Sequence, residues 1–242
     1  MTFIRTTSGR VAAVALGLPV MLAGAAFGAF SLVGLQAHTS EHHHASYPWS
    51  GGTVSLDLGA GNAQIRAGDT QVVDVSYTEH YELKRPTAQG AAAAGGVSLK
   101  AHCPGGLYGS NCSINYVITV PKRAALNVHI GDGNLSLQGI SAPVTARAGD
   151  GNISGSALAS NSVQADIGDG SIHLQWVSVP TQVTSSVGDG SIDVVVPDGS
   201  GPYAIRQSGA GSSNIEVATD PGAGAAMVLH TGDGSIHVGY GG

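Results

Sequence analysis

Gly131-Asp-Gly-Asn-Leu135, Gly149-Asp-Gly-Asn-Ile153, Gly168-Asp-Gly-Ser-Ile172, Gly188-Asp-Gly-Ser-Ile192 and Gly232-Asp-Gly-Ser-Ile236 are five copies of one pentapeptide. Degenerate copies lie at Gly59-Ala-Gly-Asn-Ala63 and at Gly209-Ala-Gly-Ser-Ser-Asn-Ile215. Counted from Gly131 and including Gly209, the starts are 18, 19, 20, 21 and 23 residues apart. A period that regular marks an array of stacked units.

Alternation flanks each turn. Val163-Gln-Ala-Asp-Ile167 and Val183-Thr-Ser-Ser-Val187 precede two of the copies, and Ile172-His-Leu-Gln-Trp176 and Ile192-Asp-Val-Val-Val196 follow them. Period-two alternation sends apolar side chains to one face and polar ones to the other, which is a half-buried strand. Short segments rich in Val, Ile and Thr and bounded by Gly favour strand over helix.

Aligned on the first Gly, the fifth position reads Leu135, Ile153, Ile172, Ile192, Ile236, and the seventh reads Leu137, Gly155, Leu174, Val194, Val238. The position before the Gly reads Ile130, Ala148, Ile167, Val187, Thr231. Columns that stay apolar from unit to unit predict that like positions stack, because one rung cannot bury its own apolar face. The expected architecture is all-β: a β-solenoid, or parallel β-helix-like stack, of two-strand rungs. A meander of hairpins in a sandwich is the rival, since Asp-Gly also suits tight hairpin turns. Register decides against it, because hairpin strands need no repeated residue class at one offset.

Composition agrees with a narrow stack. The chain has 242 residues, 37 Gly, 5% aromatic and 11% charged residues, and an interior of Val, Ile, Leu and Ala needs no large rings. Upstream, Val11 to Leu35 is 25 residues without a charge, long enough to cross a hydrocarbon core of about 30 Å as a helix. Residues 1–37 therefore read as a signal-anchor or transmembrane segment, with cleavage near Ala37 as the alternative. Arg5 and Arg10 precede it and no basic residue follows until Arg66, so the repeats are expected outside the cytoplasm, membrane-anchored or secreted. Beyond Gln36 the chain keeps 8 of its 10 Lys+Arg and all 16 acids, a formal −8, which argues against nucleic acid as a partner.

Residues 38–50 read as a polar linker, and 51–242 as the extracytoplasmic repeat domain. Glu41-His42-His43-His44 offers imidazoles to Zn²⁺ or Cu²⁺, but adjacent His in a flexible strip has no defined geometry, so no metal site or cofactor is expected. Tyr47 and Trp49 sit at a membrane interface or cap the first rung. Thr53 to Glu79 supplies the first strands, and Thr87 to Gly96 reads as a loop off the edge of the array. Cys103 and Cys112, the only cysteines, read as a disulfide outside the membrane, contributing about 2.5–3 kcal/mol by loop entropy. After Val196, a Pro- and Gly-rich insertion and Tyr203–Ser208 give no apolar face, so a bulge or loop is expected across 197–215.

Together, the N-terminal apolar segment, the Cys pair before a strand ending in Val120-Pro121, the Gly-Asp-Gly turns and the Pro202-Tyr203 insertion resemble the DUF4097 group of adhesin-like bacterial proteins. The resemblance covers roughly residues 49–242. It implies a β-helix-like solenoid displayed at the cell envelope and brings no catalytic residues. The chain departs in carrying Gly-Asp-Gly where Gly-Ser-Gly-Asp is commoner, which moves the acid within the turn.

Asp132, Asp150, Asp169, Asp189 and Asp233 are the candidate cation ligands. Stacked at the strand spacing of about 4.8 Å, they could hold calcium with turn carbonyls; the plainer reading is that Asp and Gly are what such turns require. Asn134, Asn152, Ser171, Ser191 and Ser235 are expected to form a hydrogen-bonded ladder. Asp166, Asp193 and Glu216 form no apparent catalytic set, and His173 and His237 face outward without an assigned role. A non-enzymatic envelope protein is expected, contacting an unidentified surface ligand through an outer face of Thr, Ser, Asn, Gln and Asp, with a calcium-binding spacer or a carbohydrate-active β-helix enzyme as alternatives.

Overall fold

The computed structural model describes residues 39–82, 84–104, 112–209 and 211–241; the expected signal-anchor of residues 1–37 lies outside them. The chain is all-β, with fifteen strands and no helix among the described residues. The first seven are β1 (Thr39–Pro48), β2 (Thr53–Leu58), β3 (Ala63–Gly68), β4 (Val72–Tyr81), β5 (Thr87–Ala93), β6 (Gly96–His102) and β7 (Ser113–Pro121). Then come β8 (Ala125–Ile130), β9 (Gly133–Gln138), β10 (Val144–Leu158), β11 (Ser162–Trp176), β12 (Gln182–Val196), β13 (Tyr203–Ser208), β14 (Ser212–Ile215) and β15 (Ala225–Tyr240).

Strands β10, β11, β12 and β15 each continue through a Gly-Asp-Gly turn, so each is one rung of two arms. In β11 the buried positions are Val163, Ala165 and Ile167 before the turn and Ile172, Leu174 and Trp176 after it. The four turn residues shift the inward parity from odd to even, which lets one alternating chain line both walls of a single core. These rungs pair in parallel, like over like: Ile153, Ile172, Ile192 and Ile236 are successive partners. Return loops join the ladder too, as where Thr181 N–H donates to Asn161 O and Ala226 N–H to Thr181 O, both at 2.9 Å.

Gly155 interrupts the Leu137–Leu174 column, and the structure fills the gap locally. The register slips between Gly155 and Leu158, Ala157 takes φ 50°, and Leu158 swings into the space a side chain at 155 would use.

The order of rungs in space differs from their order in the chain. First arms run β5-β6-β2-β8-β10-β11-β12-β15-β13, and second arms run β1-β4-β7-β3-β9-β10-β11-β12-β15-β14. The middle is sequential, but both ends are transposed. The rung of β6 and β7 lies outside β2 and β3, and the degenerate copy at Gly209 lies outside the last regular copy, which slots in against β12. Residues 197–215, expected as a bulge or loop, thus supply β13 and β14, an outermost rung. Its weak apolar pattern suits a place where one side has no further rung to bury it.

Two other expectations are corrected. Residues 39–48, read as part of a linker, form β1, antiparallel to β4 in a register from Thr39–Tyr81 to Pro48–Val72. Residues 87–93, read as a loop, form β5, antiparallel to β6. Both lack the apolar alternation that marks a strand: β1 turns Glu41, His43 and Tyr47 inward, and β5 is built of Ala, Gly, Gln and Thr. Tyr47 lies across β5 at Gly90, where an added Cβ would strike its ring, so these two strands meet at the end of the stack.

Candidate functional site

The turns form one edge of the molecule. Asp150, Asp169, Asp189 and Asp233 are successive partners and, with Asp132, are exposed. Beside them the expected ladder forms in two separate runs of side-chain bonds, with Ser235 in neither: Asn152 Nδ2 donates to Asn134 Oδ1 at 2.8 Å, and Asn134 Nδ2 to Asn62 Oδ1 at 2.9 Å. Asn62 Nδ2 in turn donates to Asn115 Oδ1 at 3.1 Å, and Ser191 Oγ to Ser171 Oγ at 3.2 Å. The Asn part therefore extends two rungs beyond the positions expected. Cys103 and Cys112 are bonded to each other.

Outward side chains also line up across the rungs. One row on the second arms reads Gln64, Ser136, Ser154, His173, Asp193, His237, Asn214. Five of these, from Ser136 to His237, share one offset from the first Gly of their turn, a sequence signal that identifies the row. Within it Asp193 bridges two rungs: Oδ2 lies 2.7 Å from His173 Nδ1 and Oδ1 lies 2.7 Å from His237 Nδ1. The bond to Asp193, with Glu216 adding to it, raises the His237 pKa above its ordinary value. Ser154, His173 and Asp193 are the residue types of a nucleophilic triad, but Ser154 Oγ donates to Leu135 O at 3.4 Å. The local backbone N–H groups are committed to the strand ladder, so they do not converge on an oxyanion.

The opposite, inward face at the β1 end carries a second polar cluster, which reading 39–48 as a linker concealed. Glu79 is 2% exposed, and its Oε2 accepts from Arg85 Nε at 2.8 Å. Arg85 Nη2 reaches Glu41 Oε2 at 2.8 Å and His43 Nε2 at 2.9 Å. Tyr81 Oη donates to Glu41 Oε1 at 3.0 Å. His43 stacks on Tyr77 at 4.8 Å between ring centroids, and Tyr77 meets Tyr116 at 5.7 Å. Strand alternation puts His42 and His44 on the other face, beside Thr78 and Ser76, so the three adjacent imidazoles do not converge. Glu41, His43 and Glu79 are the one set among the described residues with three metal-type ligand atoms mutually within 4.8 Å, and a guanidinium already occupies the space between them.

Two predictions follow from this cluster. Arg85→Ala leaves the Glu79 carboxylate buried with the His43 imidazole, whose Nε2 lies 3.5 Å away, in place of the guanidinium. A loss of about 3 kcal/mol in urea denaturation is expected, at the low end for a broken buried pair because Arg85 is half exposed. An unchanged midpoint would mean that Glu79 is neutralised some other way. Tyr116 Oη is buried without a hydrogen-bond partner, and burial, with Tyr77 and Glu79 adding, pushes the phenol far above its ordinary range. Tyr116→Phe is therefore expected to be neutral or stabilising by about 1 kcal/mol at pH 7. Burial disfavours the folded phenolate, so as pH climbs past the unfolded phenol value the unfolded chain gives up its proton first and folding loses stability. Stability should accordingly fall above about pH 10, and fall less in Tyr116→Phe; parallel pH profiles would contradict this.

No known family profile matches the chain, and no curated protein matches it. Among solved structures it is similar to a "putative cell adhesion protein" from Clostridium sporogenes, at 13% identity and TM-score 0.50, over 84% of this chain and all of that one. That likeness is one of fold. A "putative adhesin" from Bacteroides fragilis aligns at 13% identity and TM-score 0.34, over 82% of this chain and 97% of that one. A "putative lipid binding protein" from Parabacteroides distasonis aligns at 6% identity and TM-score 0.33, over 83% and 97%.

Proposed function

We propose that the chain is a non-catalytic β-solenoid of the DUF4097 group that binds polymers at the cell envelope through its outward rows. In this reading residues 1–37 hold it to the membrane, or release it if they are cleaved, and the repeats lie outside, where the Cys103–Cys112 bond persists. The observation that carries the reading is register. Parallel pairing gives each outward row one side chain per rung at about 4.8 Å, a rigid periodic surface suited to many weak contacts with a repeating ligand. A fold shared with a protein described as a cell adhesion protein supports the same class.

Retention of the producing cell's own wall polysaccharide on immobilised, oxidised full-length protein tests the reading. Retention that falls when Ser136, Ser154 and Gln64 are together replaced by Glu is the expected result. Retention no greater than on a surface of unrelated protein would leave the chain as a spacer. Calcium has its own test: a melting temperature that rises in millimolar calcium, and does not rise once Asp169 and Asp189 are Asn, would assign the turn acids to cation binding.

A further inference from the structure

His237 is held in an unusual way for a half-buried surface histidine. Its Nδ1 lies 2.7 Å from Asp193 Oδ1, and that carboxylate is itself tied by its other oxygen to His173. Its Nε2 faces Glu216 Oε2 at 3.7 Å. Glu216 is fixed from its far side, where Asn214 Nδ2 donates to Oε1 at 2.8 Å. Gly239 makes the room: a Cβ there would stand 2.9 Å from His237 Cε1, 3.2 Å from Nε2 and 3.8 Å from Glu216 Oε2. Two potential ligand atoms are thus aimed at each other over a bare glycine, and each belongs to a group whose other polar atom is already held.

We propose that His237 Nε2 and Glu216 Oε2 form a surface site for a divalent transition metal ion of the Zn²⁺ type. Zinc bonds to His nitrogen and carboxylate oxygen are about 2.0–2.2 Å, which sets two corners of a coordination tetrahedron about 3.3–3.6 Å apart, so atoms at 3.7 Å need close only slightly to share one ion. A carboxylate on Nδ1–H is the usual support of a metal-binding histidine, fixing the tautomer that leaves the Nε2 lone pair free. Asp193 supplies that support as a positioning residue. The two remaining corners are open to water or to an oxygen of a bound molecule. Glu41, His43 and Glu79 have more ligand atoms but hold Arg85 as their cation. The site stands on its own geometry, independently of whether the outward rows bind polymer.

The test is calorimetric titration of untagged full-length protein with zinc chloride, paired with NMR of the His237 ring nitrogens. The expected result is saturable binding of one ion with a shift at His237 Nε2. His237→Ala should remove that binding, and Glu216→Gln should weaken it at least tenfold. Asp193→Asn should cost about 10–100-fold, as loss of a supporting carboxylate does elsewhere, while His43→Ala leaves the affinity unchanged. The proposal is overturned if no saturable binding occurs, if His237→Ala binds as the natural chain does, or if His43→Ala is the variant that abolishes it. The ring-nitrogen measurement on the natural chain decides the matter even where a variant folds poorly.

Discussion

Gly170→Ala should unfold the stack. Gly170 is the second glycine of its turn, with φ 138°, and an added Cβ would lie 1.7 Å from the carbonyl oxygen of Gly151 on the neighbouring rung. Two penalties combine. The backbone conformation is one that side-chain-bearing residues rarely adopt, costing about 1–3 kcal/mol. The collision is with main chain, which cannot swing away, so the rungs themselves must part. The next copy has the same constraint, since a Cβ at Gly190 would lie 1.7 Å from Gly170 O, and the regular column offers no slack nearby. A loss above about 4 kcal/mol is expected, a large share of the total stability of a domain. Gly95→Ala is the control, because a Cβ there meets nothing within 4 Å. Circular dichroism melts of the two variants make the comparison. A Gly170→Ala protein that melts with the natural chain would mean the turns are not packed rung on rung.

Trp176→Ala should cost about 3–5 kcal/mol, the range for deleting a large buried aromatic side chain. Trp176 is 2% exposed in a core otherwise made mostly of aliphatic residues, and its Nε1 donates to Ser160 O at 3.0 Å inside that core. Removing the ring opens a cavity between rungs and leaves a buried carbonyl without its donor, a further penalty. Trp176→Phe should recover most of the packing and none of the hydrogen bond, so its loss should fall between. Trp49 remains in both variants and reports unfolding by fluorescence. Equal midpoints for Trp176→Ala and Trp176→Phe would show that the ring volume does not matter there.

The strands and columns were legible because two periods coincide in the sequence: a two-residue alternation within each arm and a near-twenty-residue return of Gly-Asp-Gly. Ile172 stands in register with Ile192, as the columns require. The ends were not legible in the same way. Repeat spacing says that copies stack, but Gly209 and Gly232 could take either order, and only the poor apolar face of Tyr203–Ser208 hints that this copy is the outer one. Residues 39–48 and 87–93 escape a sequence reading because their inward positions are mostly Glu, His, Ala or Gly, with Tyr47 the one large ring, so the apolar period that identifies a strand is nearly blank. Missing β1 also hid the Glu41–His43–Glu79–Arg85 cluster, whose members come from two strands and a connector. The Asp193–His237 contact was nearer the surface of the sequence: both residues stand at the same offset from their turns. Glu216 and Gly239 complete that arrangement only through the transposed last rungs.

Cysteine pairing between outward positions tests the rung order most directly. Thr184, Val228 and Arg206 occupy one row, Thr184 beside Val228 and Val228 beside Arg206, and adjacent strands lie within the Cα range that a disulfide spans. Under mild oxidation, peptide mapping should find a bond in the Thr184→Cys/Val228→Cys variant and in Val228→Cys/Arg206→Cys, but none in Thr184→Cys/Arg206→Cys. A bond formed in the third variant and absent from the first would place the copies in simple chain order and contradict the account.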